Sequence, residues 1–160
     1  MYKTHNDLAD NVRKAAIEYL QARLSDAIDL QTQTKQAHWN VKGPNFIALH
    51  ELFDTVATDA AGYADLIAER IATLGGIAEG TAAVAAERST LPRYPLTIVQ
   101  GTEHVEALAT ALGAFGKAVR ANIDQAADIG DQDTADIFTE VSRGVDKNLW
   151  FVEAHNQANR

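Results

Sequence analysis

His50 and Asp54 stand four positions apart, and so do Asp65 and Glu69. On a helix that spacing puts both members of a pair on one face, one turn apart, which is how two side chains come to share a cation. Pro44 suits a first helical turn after Gly43, and the next break is Gly75-Gly76, so about thirty residues can run as one helix carrying both pairs. From Asp54 to Asp65 is eleven positions. At 100° each the two pairs point within about 20° of one another, but at about 1.5 Å rise they lie roughly 16 Å apart. One helix cannot close them around one ion.

A second copy of this helix can. Running antiparallel across a two-fold axis near Asp59 and Ala60, it sets its Asp65 and Glu69 opposite His50 and Asp54, and the symmetry yields two equivalent sites. Between the pairs the same face carries Thr58, Ala61 and Gly62, small enough for close approach. The plain alternative for any one pair is a solvated helix face. Two pairs in phase argue against it. His38, before the break, reads either as a further ligand or as a helix-end residue bonded to backbone.

Imidazole with several carboxylates suits iron, manganese or zinc, with iron(II) the first choice. The chain has no cysteine, which removes thiolate sites and iron-sulfur clusters. It has neither an HExxH zinc motif nor the Glu-x-x-His of centres held inside one bundle.

The segments HWNVKGPNFIALHELFD and ADLIAERIATLGG, with TKQAHWN upstream and DTADIFTEVSRGVDKNLWFVEAH near the C-terminus, closely resemble the Dps proteins, the mini-ferritins. The resemblance spans nearly the whole chain. It implies an inter-subunit ferroxidase site of His38, His50 and Asp54 from one subunit with Asp65 and Glu69 from its two-fold mate, and none of these positions departs from the family pattern. It further implies iron ions at that site and a dodecameric shell. There Fe(II) is oxidised, preferably by hydrogen peroxide, and stored as a ferric mineral, protecting against oxidative damage.

A chain of 160 residues, 46% hydrophobic, reads as a single domain, with residues 1–6 a short tail. No charge-free apolar run approaches 18 residues and the N-terminus has no apolar signal region, so a cytoplasmic protein without membrane contact is expected, possible nucleoid association included. Apolar stripes, caps and breaks place long helices at about 7–40, from the Pro44 turn to the Gly75-Gly76 break, at about 102–129 up to Gly130-Asp131, and at about 133–157, with Asn6 or Asp7, Thr102 and Asp133 as the caps of the first, third and fourth. The 75–99 connection contains Pro92 and Pro95 and an alanine-rich piece at 81–88 that suits a short helix. The expected fold is all-α: a ferritin-like four-helix bundle with one long crossover carrying a short helix.

Trp39 adjoins His38; packing is the default for it and for Trp150, and the family adds a redox role near the iron for Trp39. Arg70 and Asp146 match family positions that form an ion pair near the shell's three-fold axes. Aspartates gather at the end of the third helix, where the family has its pore; Asp136 is the first pore candidate and Asp131 the second.

DNA binding by the family uses basic tails that neutralise phosphates. Here the ends offer Lys3 and Arg160, with Arg13 and Lys14 inside the first helix, and net charge is -8. Weak or absent DNA binding is expected. Three readings follow: peroxide-consuming ferroxidase and iron store, nucleoid-compacting DNA-binding protein, or a purely structural helical oligomer.

Overall fold

The apolar stripe read on the first helix is the seam of a bundle, with Ala16, Leu20, Leu24, Ala27 and Leu30 all buried. The computed structural model describes residues 1–157. Its helices are α1 (Asp10–Asn40), α2 (Phe46–Thr73), α3 (Ala82–Arg88), α4 (Gly101–Asp128) and α5 (Gln132–Gln157), and no strand occurs among the described residues. α1 packs along α2 and α4 along α5; α1 against α4 and α2 against α5 close the bundle. Phe53, Phe115 and Phe138 fill its centre at 0% exposure.

The crossover is long because it must return to the other end of the bundle. α2 stops beside the N-terminus, where the Tyr2 amide donates to the Gly75 carbonyl, whereas α4 starts beside the end of α1, where Lys42 and Gln100 form an isolated parallel bridge. A helix of 28 residues is about 42 Å long. The returning segment needs that reach, and α3 packs on α1 along the way.

Polar side chains of α1 hold it there. Asp26, fully buried, accepts from the amide and hydroxyl of Thr90, Asp29 accepts from Ser89 Oγ, and Gln33 donates to the Pro92 carbonyl. These contacts supply partners for polar groups that would otherwise be costly to bury.

Glycine ends two of the helices, α2 at the Gly75-Gly76 break and α4 at Gly130. Gly75 and Gly130 take φ of +83° and +86°, and the amides of Gly75 and Gly76 return to Ala72 and Ile71 in a Schellman arrangement. The starts differ from expectation. α1 begins at Asp10 after an uncapped Ala9, because Asn6 spends its Oδ1 on the Leu8 amide in a local turn. α4 begins at Gly101, with the Glu103 carboxylate reaching back to the Val99 and Gln100 amides in place of a Thr102 cap. α5 is capped by Asp131 and not Asp133: Asp131 Oδ1 accepts the Thr134 amide at 3.0 Å.

Candidate metal centre

α1 ends at Asn40, so the carbonyls of its last turn lack helical partners. One of them, that of His38, accepts from the Nδ1 of His50 at 2.8 Å, and the Nδ1 of His38 bonds to the His50 carbonyl at 2.8 Å. The two rings stack with centroids 3.7 Å apart and planes 20° from parallel. A carbonyl only accepts, so both Nδ1 atoms carry the hydrogen. Both Nε2 lone pairs are left for a cation, the tautomer a ligating imidazole needs. The helix-end reading of His38 and the ligand reading are therefore compatible: one nitrogen serves each.

Asp54 lies one turn beyond His50, exposed, with Oδ1 2.6 Å from Lys35 Nζ. That hydrogen bond is the first cause of a lowered Asp54 pKa, and the charge of Lys35 acts the same way. The carboxylate is thus ionised beside the imidazoles and already faces a cation, an ammonium.

Asp65 and Glu69 lie further along α2 and are exposed; among the described residues neither side chain has a hydrogen bond or ion pair. Asp54, Thr58, Gly62, Asp65 and Glu69 form one exposed stripe, and a Cβ built on Gly62 meets nothing within 4 Å. Ala61, between them, is half-buried. Among the described residues no three His, Asp or Glu side chains gather closely enough to hold a metal ion. The chain brings His38, His50 and Asp54 into one neighbourhood and leaves Asp65 and Glu69 apart, as the helical rise requires.

Other expected residues take different positions. Trp39 and Trp150 do not pack inside this chain: they are 67% and 62% exposed, Trp39 with Lys35 Nζ 5.8 Å from its ring centroid and Trp150 tilted on Phe151. Arg70 does not reach Asp146 within the chain. It donates to Asp131 at 2.7 Å and to Thr134 Oγ1 at 3.0 Å, both buried, with exposed Asp133 at 3.7 Å, while Asp146 pairs with Arg120. The second pore candidate, Asp131, is accordingly 1% exposed, its carboxylate committed to Arg70 and Thr134. Asp136 is exposed on α5.

Two features escaped the sequence reading. Lys35 sits three residues before His38, a spacing that shares a helix face and was the available signal. His104 is a polar residue on the buried face of α4, 1% exposed, bonded through Nδ1 to the Tyr94 hydroxyl. Nothing in the spacing of Tyr94 and His104 announces that pair, because the crossover brings them together.

An all-α bundle with one long crossover, and with an imidazole and carboxylates aligned on a helix face, is the architecture of a ferritin-like protein. Residues 17–160 match the family described as ferritin-like domain. The chain is 46% identical to the DNA protection during starvation protein of Agrobacterium fabrum over 98% of this chain and 96% of that one. The structure of Dps from Microbacterium arborescens in the high iron form superposes with a TM-score of 0.86 at 37% identity, over 92% of this chain and 95% of that one. DpsC from Streptomyces coelicolor gives 0.92 at 29% identity, over 96% and 90%. This chain belongs to the Dps family of ferritin-like proteins.

Proposed function

We propose that this chain is the subunit of an iron-storing, iron-detoxifying shell that oxidises Fe(II), preferably with hydrogen peroxide, and deposits the ferric product inside. The observation that carries the reading is the stacked His38–His50 pair, whose Nε2 atoms are bared beside ionised Asp54, on the face that also presents Asp65 and Glu69. An antiparallel copy of α2 brings the partner subunit's carboxylate pair across the stripe and completes two sites per dimer. Iron is the substrate. Imidazole holds Fe(II), and the added carboxylates favour the ferric product by charge. The relative solved in a high iron form supports iron as the metal.

Twelve subunits in a closed shell is the assembly this reading adopts, with exposed Trp150 and Phe151 as contact surface between copies. Asp136 is the remaining candidate for drawing cations through a pore. The work is placed in the cytoplasm; no helix among the described residues is long and apolar enough to cross a membrane.

Protection of DNA, which the relatives' name mentions, follows here from removing iron and peroxide and needs no tight DNA contact. Arg13 is spent on Asp10 and on the Leu8 and Leu74 carbonyls, and the segment before α1 is tied to α2 through Tyr2 and Gly75. Arg160 lies outside the described residues. With -8 per subunit, repulsion of phosphates is the expected outcome and nucleoid compaction is disfavoured.

The deciding experiment adds Fe(II) anaerobically to the assembled protein and then hydrogen peroxide, following Fe(III) absorbance and peroxide consumption. The double variant His50→Ala, Asp54→Ala should stay assembled and lose fast oxidation. Unchanged oxidation in that variant would refute the site.

A further inference from the structure

His104 is buried in the bundle, yet its Nε2 has no hydrogen-bond partner and its Nδ1 bonds to the hydroxyl of Tyr94. A buried polar nitrogen left unpartnered calls for a reason. Burial raises the pKa of the Tyr94 hydroxyl and lowers that of the His104 ring, so at rest a neutral phenol donates to a neutral imidazole. The hydrogen then sits on Nε2, and Nδ1 is a base held against the phenol. Among the described residues no other tyrosine hydroxyl bonds to a histidine.

Tyr94 also shares a cavity with residues that neighbour the candidate metal site. Tyr94 and Trp39 line the same surface cavity, of about 480 Å³, together with Lys35 and Gln36. Lys35 in turn joins Asp54 to the Trp39 ring, and Trp39 follows His38. The cavity is thus lined both by Tyr94 of the phenol–imidazole pair and by Lys35, which bonds to Asp54 of the candidate metal site.

We propose that Tyr94 and His104 act as a proton-coupled electron donor that quenches one-electron oxidants formed during iron oxidation, a role resting on the ferroxidase reading above. When Fe(II) gives a single electron to hydrogen peroxide, the O–O bond breaks to leave Fe(III), hydroxide and a hydroxyl radical. Tyr94 supplies one electron to that radical, making a second hydroxide, while the phenolic proton passes to Nδ1 of His104. The products at the pair are a neutral tyrosyl radical and an imidazolium. A second Fe(II) returns the electron and His104 returns the proton, restoring the pair. The sum is two Fe(II) and one peroxide giving two Fe(III) and two hydroxides. An iron site holding a single ion thereby completes a two-electron reduction without releasing a radical.

The test uses the assembled protein and two oxidants. In the first arm Fe(II) and hydrogen peroxide are mixed and freeze-quenched. High-field EPR is expected to show a tyrosyl radical with the shifted component of a hydrogen bond to imidazole. In Tyr94→Phe that signal should be lost and spin-trapped hydroxyl radical should rise. In the second arm a photo-oxidised ruthenium complex replaces iron and peroxide; the same signal is expected, absent in Tyr94→Phe and moved to the unbonded position in His104→Leu. Tyr94→Phe keeps the ring and its packing, so its result does not depend on misfolding. An imidazole-bonded radical that persists in Tyr94→Phe, or trapped radical that does not increase, overturns the proposal. If the wild type fails to oxidise iron but shows the radical with ruthenium, the pair stands and the ferroxidase reading falls.

Discussion

The imidazoles of His38 and His50 each bond to the other's backbone carbonyl, and the rings stack 3.7 Å apart between the end of α1 and the start of α2. This fixes which nitrogen of each ring faces outward before any ion arrives. Such support of ligand orientation is typically worth about 10- to 100-fold in metal affinity. His50→Ala removes a ligand and also frees the His38 carbonyl and ring. Titration of the assembled variant with Co(II), followed calorimetrically, should therefore show a loss of at least about 10-fold in affinity; unchanged binding would remove both histidines from the site.

Lys35 and a bound cation would compete for the Asp54 carboxylate. The pair is exposed, so it is weak. Lys35→Gln should raise first-ion affinity about two- to fivefold, most clearly at low salt. A fall in affinity would show that the ammonium assists binding.

Arg70 and Asp131 form a buried ion pair that ties α2 to the start of α5. Removing one partner of such a pair costs about 3–5 kcal/mol, because the other charge stays buried. Arg70→Ala should lower stability by about that amount in denaturant unfolding. Asp136→Asn, on an exposed position of the same helix, should change it by no more than about 0.5 kcal/mol. Equal effects would mean that the aspartates of this turn are not divided into buried and free as described.

Burial lowers the His104 pKa; Lys42 adds to this, Glu103 opposes it, and Tyr94 faces the ring from the crossover. In the unfolded chain the ring titrates near 6.5. Below that pH the unfolded chain takes up a proton that the folded one refuses. The contribution is complete above pH 6.5 and is lost as pH falls, at no more than about 1.4 kcal/mol per pH unit, until the folded ring also titrates. The denaturation midpoint of the wild type should fall relative to that of His104→Leu as the medium is acidified from neutrality. Parallel curves would argue against a neutral buried ring.

Elements dictated by local pattern were legible in the residues. Apolar stripes located the first and last long helices, Gly75 and Gly130 ended the two between them, and spacings of four put Asp54 on the His50 face and Glu69 on the Asp65 face. Caps were less legible. Several aspartates near residue 131 could each start a helix, and only the buried Arg70 decides for Asp131. The burial of Asp26 and Gln33 on α1 was not legible, because their partners, Thr90 and Pro92, arrive from about sixty positions away. The Tyr94–His104 contact and the turning of Lys35 toward Asp54 likewise depend on where whole elements settle.

The exposed stripe on α2 has a genetic corollary under the shared-site reading. A chain lacking His50 and Asp54 and a chain lacking Asp65 and Glu69 are each inactive alone, since every site in either homodimer is damaged. In a mixed dimer both lesions fall in one site and the other is intact. Co-expression of two dead alleles would then restore activity at half of the sites in each mixed pair, a complementation that no site built within one chain can produce.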